Sequence, residues 1–151
     1  GRLGGPAPRI DLAAEARLQR LVLDLARARL LSSAHDVADG GLAVAIAECC
    51  TTGDALAGAE IDLDAPAGAS ITGLLFGEAP SRIVISTSPA SEAEITRRAG
   101  QASVPIMRLG RTTALGASAE LVVRTAGVSV TARAEELRAA REGCLTPIVG
   151  S

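Results

Sequence analysis

A chain of 151 residues, 48% apolar and 21% charged, has the length of one domain and a globular composition. Such a chain buries about 70% of the surface its unfolded form would expose, so neither a disulfide nor a metal is needed to hold it. All fifteen basic residues are arginine, which excludes a Schiff-base lysine and a Walker-type phosphate loop; a net charge of −2 and a single aromatic, Phe76, argue against nucleic acid as a partner.

The sequence opens on Gly1, and its one methionine is Met107. It reads as a domain of a longer protein, with residues 1–10 a linker and 11–151 a single domain. Asp11 is placed to cap a helix whose stripe, Leu12, Leu18, Leu21, Val22, Leu25 and Leu30, carries it to about Leu31. Ser33 to Val37 reads as extended, Ala38 to Gly41 as a tight turn, and Leu42 to Cys50 as a helix apolar enough to be buried. Thr52 to Asp54 ends that helix, with Gly53 after its last turn. Gly58 to Leu63 alternates as a half-buried strand does, and Ser70 can cap a short helix through Leu75. Arg82 to Ser86 is a β-branched strand run. A polar helix from Ser91 to Gln101 is capped at Ser88 or Ser91. Val104 to Leu109 reads as a strand before a Gly110-Arg111 turn. Strands at Ala119 to Arg124 and Val128 to Thr131 flank an Ala126-Gly127 turn, and Ala134 to Arg141 closes the chain as a helix. The pattern argues a mixed sheet covered by helices, in the α+β or layered α/β class.

Cys49, Cys50 and Cys144 form no Cys-x-x-Cys pair and His35 is the only histidine, so a zinc site is not expected and the thiols read as small buried hydrophobes. No apolar run approaches the ~20 residues that span a membrane, and no signal peptide opens the chain, which points to the cytoplasm.

The chemistry concentrates in His35-Asp36-Val37-Ala38-Asp39-Gly40-Gly41. Two glycines open an apolar helix, where unpaired N–H groups and the helix dipole favour an anion and the missing Cβ atoms admit it. Asp39 caps the helix itself, holds Mg²⁺ beside a phosphate, or binds a ribose hydroxyl; its N-cap preference favours the first. In the second patch, Leu75 to Arg82, Gly77 and Pro80 force a turn before a strand. Glu78 and Arg82 form either a local ion pair or a support for the neighbouring loop or a partner domain.

These runs resemble phosphoribosylformylglycinamidine synthase. Ala34-His35-Asp36-Val37-Ala38-Asp39-Gly40-Gly41-Leu42, continuing through Glu48, is similar to a run in the second half of that family, and Leu75-Phe76-Gly77-Glu78 with Arg82 looks like its Leu-Phe-x-Glu-x-x-x-Arg run. Leu109-Gly110 and the opening Leu3-Gly4-Gly5 with Asp11-Leu12 also fit. Ala38 stands where the family usually has Ser, and no Trp lies near Arg141 to Gly143.

The resemblance implies the fold of the aminoimidazole ribonucleotide synthetase C-terminal domain, a helix–sheet–helix layering partly like the ferredoxin topology. It implies an ATP-dependent ligase of purine biosynthesis that uses Mg²⁺, with both sites largely upstream of this chain. It further implies three partners: a glutaminase subunit, a small accessory subunit, and the protein's own N-terminal domains. The isolated piece is expected to be inactive. On this view His35, Asp36, Asp39, Gly40 and Gly41 bind a ribose or nucleotide phosphate, with Gly40 and Gly41 donating N–H groups. Asp36 is the candidate metal ligand, His35 the one catalytic candidate, and Glu78 and Arg82 are supports. Two alternatives stand beside it: another member of the same superfamily, or a non-catalytic nucleotide-binding or assembly module.

Overall fold

The computed structural model describes residues 9–63, 70–125 and 127–144. Most of the expected linker and Ala126 of the expected turn lie outside them. The elements are α1 (Leu12–Arg27), β1 (Ser33–Asp36), α2 (Gly41–Thr51), β2 (Ala57–Leu63), α3 (Ile71–Phe76), β3 (Ile83–Ser86), α4 (Glu92–Gln101), β4 (Gly110–Leu115), β5 (Glu120–Thr125), β6 (Val128–Arg133) and α5 (Ala134–Gly143). Their order is the one the sequence predicts. The strands form an antiparallel pair, β1-β3, and a four-stranded sheet in the order β4-β2-β5-β6. In the larger sheet β2 and β5 run parallel while the outer pairings are antiparallel, so it is mixed. The chain divides into two compact units, Gly1–Ala45 with Phe76–Met107 and Ile46–Leu75 with Arg108–Ser151.

In the first unit, α1 and α4 meet along an apolar seam. Leu21, Leu25, Ile95 and Ala99 are buried together, with Ile85 of β3 packed against them. Leu25 is 1% exposed, and truncating such a leucine to alanine costs about 2–5 kcal/mol. Asp11 caps α1 as expected, its carboxylate accepting from Ala13 N at 2.9 Å and Ala14 N at 3.1 Å. Those bonds hold its carboxyl below the ordinary range. The helix stops at Arg27, four residues short of expectation. Arg29 takes φ 56° and Leu30 N–H donates back to Leu25 O at 3.1 Å, a left-handed stop that glycine usually makes. The same device ends α4, where Ser103 has φ 52° and Val104 N–H donates to Ala99 O at 2.9 Å. A 3-10 turn over Pro89–Ser91 leads into α4, and neither Ser88 nor Ser91 caps a helix with its side chain. Their hydroxyls bond each other at 3.1 Å instead.

In the second unit the alternation in β2 separates the two faces of the sheet. Ala59, Ile61 and Leu63 are buried, while Glu60 on the other face accepts from Arg111 Nη2 at 2.8 Å. Helix α5 is tied to the end of α2, because Arg138 donates to the carbonyls of Thr51 (2.6 Å) and Gly53 (2.8 Å), satisfying groups a helix end leaves open. Cys50 is buried and its thiol is pushed up to about 11 by desolvation. Cys49 is half-buried, and Cys144 is exposed rather than buried as expected.

The expected strand at Val104–Leu109 is not one; the strand begins at Gly110. Pro105 has no N–H to donate to a ladder. Gly110 is strand rather than turn because it lies against β2: a Cβ there would sit 1.9 Å from the Glu60 carbonyl oxygen. Gly110→Ala should therefore destabilise the chain by about 2 kcal/mol or more. Gly100→Ala, in α4 with nothing within 4 Å of its Cβ position, should stabilise it by about 0.5–1 kcal/mol. Urea titration of both variants checks the pair.

Hydrogen bonds from Arg97 and Arg98 hold the Glu94 carboxyl at about 2, below its ordinary 4.5. A depressed carboxyl contributes stability above its unfolded pKa and loses it as the pH falls through the folded one. The Tm gap between the parent and Glu94→Gln should thus be constant above pH 4.5 and close towards a pH of about 2. A gap that persists there would show that the pair contributes nothing acid-dependent.

Candidate functional site

The loop between β1 and α2 is built by pairing on one side and by a turn on the other. Strand β1 runs antiparallel to β3, setting His35 opposite Val84 and Asp36 opposite Ile83. Val37 N–H extends the ladder to Arg82 O at 3.0 Å. The chain then turns, with Gly41 N–H donating to Ala38 O at 3.1 Å. Gly40 has φ 79° and Gly41 φ 72°, a region that suits glycine and strains other residues. A Cβ on Gly40 would also lie 2.5 Å from Val44 Cγ2.

Gly40 N–H donates to Glu78 Oε1 at 2.9 Å. The turn that carries Glu78 is itself held: Arg82 donates from Nη2 to Gly77 O and from Nε to Ala79 O at 3.1 Å. Ser81, at φ 62°, donates to Glu15 Oε2 at 2.6 Å, and Gln19 donates to the other Glu15 oxygen at 2.6 Å. The Ser81 and Gln19 bonds hold the Glu15 carboxyl below its ordinary range. A connected polar set therefore runs from α1 through the 77–82 turn to the mouth of α2.

A cavity of about 660 Å³ opens here, and its charged lining is Glu15, Asp36, Asp39, Glu78 and Arg82. Four carboxylates face one guanidinium, and that guanidinium is engaged with carbonyls. The structure thus brings Asp36, Asp39, Glu78 and Arg82 to one wall. Gly40 is tied to that wall through its amide, whereas Gly41 and His35 are not part of the lining. His35 Nδ1 lies 2.7 Å from Asp36 O and 3.9 Å from Asp36 Oδ1.

Asp39 does not cap α2. The residue before the helix is Gly40 in a left-handed conformation, not an extended Asp, and the Asp39 carboxylate bonds no described residue. The Gly40 and Gly41 amides both have partners within the chain, so an anion would reach Gly40 only by replacing Glu78. Glu78 and Arg82 do not pair with each other; each holds backbone. Among the described residues no three His, Cys, Asp or Glu side chains come together to hold a metal ion.

Sequence reasoning missed Glu15 and Ser81 as members of the set. Glu15 reads as a first-turn acid, and nothing local signals a left-handed Ser81. A hydrogen bond to a charged group is worth about 1.5–3 kcal/mol. Glu78→Ala should therefore speed hydrogen exchange at the Gly40 amide about tenfold or more, while Leu25 in the α1 seam stays protected. Unchanged exchange at Gly40 would mean that Glu78 does not hold the loop.

Comparison with known proteins agrees with this fold. Residues 3–123 match the profile of "AIR synthase related protein, C-terminal domain". The phosphoribosylformylglycinamidine synthase subunit PurL of Thermobifida fusca is 42% identical over 151 residues, all of this chain and 18% of that protein. The PurL of a Parafrankia species is 37% identical over 155 residues, spanning 99% of this chain and 18% of its own length. The chain thus spans less than a fifth of these relatives. Among solved structures, phosphoribosylformylglycinamidine synthase II of Thermotoga maritima superposes with a TM-score of 0.74 at 20% identity, covering 87% of this chain and 22% of that one. The PurL of T. maritima complexed with ATP gives a TM-score of 0.75 at 21% identity, covering 89% and 23%. Both share its fold. With four-fifths of its residues under the family profile, the chain belongs to the AIR synthase related proteins, as their C-terminal domain.

Proposed function

We propose that this chain is the C-terminal domain of a phosphoribosylformylglycinamidine synthase and works only as part of that longer ligase. The observation that carries this reading is identity of 42% along the whole chain with a PurL subunit. In such a synthase ATP activates the formamide oxygen of formylglycinamide ribonucleotide, and glutamine-derived ammonia then displaces phosphate. The T. maritima neighbours are described in complex with ATP, ADP and FGAR, which supports ATP and that ribonucleotide as ligands of the parent protein. The residues that hold ATP and Mg²⁺ would lie mainly outside this chain. A T. maritima structure named PurLQS supports assembly with other subunits, here a glutaminase and a small accessory protein. No helix among the described residues is long and apolar enough to cross a membrane, in keeping with a cytoplasmic enzyme.

Within that enzyme the loop from His35 to Gly41 forms one wall of the substrate site. The exposed carboxylates of Asp36 and Asp39 accept hydroxyl groups of the ribose, and Glu78 fixes the loop through Gly40. A phosphate would contact the Gly40 amide only where it displaces Glu78.

The test is a chimera in which this chain replaces the matching segment of the T. fusca subunit, expressed in a purine auxotroph lacking the synthase. Growth without purine is expected, and no growth despite soluble protein would refute the assignment. In the purified chimera, Asp39→Asn should raise KM for the ribonucleotide about tenfold and leave kcat nearly unchanged, as loss of uniform binding does.

A further inference from the structure

The opposite side of α1 carries a second concavity of the opposite sign. A groove of about 550 Å³ between α1 and α4 is lined by Arg17, Arg20, Asp24, Arg97, Arg98 and Gln101, over Leu21 and Ala102. Positions 17, 20, 21 and 24 fall on one face of a helix, as do 97, 98, 101 and 102. The groove's own carboxylates do not balance its guanidiniums. Asp24 lies 3.9 Å from Arg27, outside the groove. Glu94 takes both Arg97 (2.6 Å) and Arg98 (2.7 Å). Among the described residues, Arg17 and Arg20 make no ion pair and no side-chain hydrogen bond. They stand one helical turn apart, about 5–6 Å between Cβ atoms, where like charges repel. The chain as a whole is acidic, so this is a local excess of positive charge.

The chemistry of the lining narrows the occupant. The groove has no aromatic on which a base could stack. A single small oxyanion is held best by fixed donors such as backbone N–H groups or buried side chains; here the free donors are two exposed, flexible arginines. A row of carboxylates on a protein surface suits them better. Guanidinium forks match carboxylates two bonds at a time, and Arg17 and Arg20 stand about 5 Å apart along α1, with Asp24 at the far end of the lining. We infer that the α1/α4 groove docks an acidic face of a partner protein, one presenting carboxylates about a helical turn apart. This rests on the reading of the chain as part of a multi-subunit synthase, whose other subunits are the candidate partners.

The test uses the full-length synthase. The parent, an Arg17→Glu/Arg20→Glu variant and an Arg9→Glu/Arg29→Glu control with the same charge change are titrated with the glutaminase and small accessory subunits at low and high ionic strength. The parent's Kd should rise with salt. The groove variant should bind one subunit about tenfold or more weakly at low salt and lose most of the salt dependence, while the control behaves as the parent. Equal ammonia-dependent activity of the three proteins guards against misfolding. If the parent assembles and the groove variant binds as well as the control, the inference falls and the synthase reading stands. If the parent binds neither subunit, both fall. In a separate arm, inorganic phosphate that binds the parent but not the groove variant, with subunit affinities unchanged, would replace the protein partner by a small oxyanion.

Discussion

The amide of Gly40 needs an acceptor, and Glu78 supplies it across 38 residues of sequence. Two consecutive left-handed glycines turn the chain from β1 into α2 and leave this N–H outside the helical ladder, in the positive field of the helix mouth. A carboxylate is the natural partner there. The bond also fixes where Glu78 must stand, and this accounts for the turn that carries it. Arg82 spends its guanidinium on the carbonyls of Gly77 and Ala79 rather than on Glu78. Ser81 accepts a strained φ and anchors to Glu15. An ion pair between Glu78 and Arg82 would have been local and exposed, and worth little. Distributing the two side chains over backbone groups holds two loops with the same residues.

This arrangement sets the charge of the unit. One wall of α1, with Glu15 and Gln19, faces a cavity rich in carboxylates. The other, with Arg17 and Arg20, faces a groove rich in guanidiniums. The apolar seam of Leu21 and Leu25 lies in the same helix. A sixteen-residue helix thus serves three surfaces, and of its leucines Leu21 and Leu25 are the buried ones.

Local physics was legible in the sequence where local physics decides. Asp11 caps α1, Ser70 leads α3 with its hydroxyl near Gly73 N (3.3 Å), and β2 alternates as written. What was not legible depends on distant partners or on non-glycine left-handed residues. Leu30 looks like a further helical position, yet Arg29 has already turned the chain. Gly110 looks like a turn residue, but only the carbonyl of Glu60 across the sheet explains it. At the entry to α2 the glycine pair takes the left-handed turn that its residue type suggests, and Asp39 is a sound cap by preference. That an acid 38 residues away takes the amide instead is a choice made in three dimensions. The cysteines follow their helices: Cys50 lies within the apolar α2 and is buried, whereas Cys144 caps the polar α5 and is exposed.

The internal carboxylate also bears on which part of a substrate this loop would meet. A phosphate arriving at Gly40 exchanges one anion for another at the amide, and the released Glu78 then joins Glu15, Asp36 and Asp39 on a wall that is already negative. That exchange adds charge to a site that repels it. A hydroxyl meets no such penalty: it donates to Asp36 or Asp39, leaves the Glu78 bond intact, and brings no charge. Under the proposed function, the sugar of the ribonucleotide is therefore the better match for this wall. A phosphate would need an arginine that is not already engaged, and Arg82 in this lining is held by the carbonyls of Gly77 and Ala79.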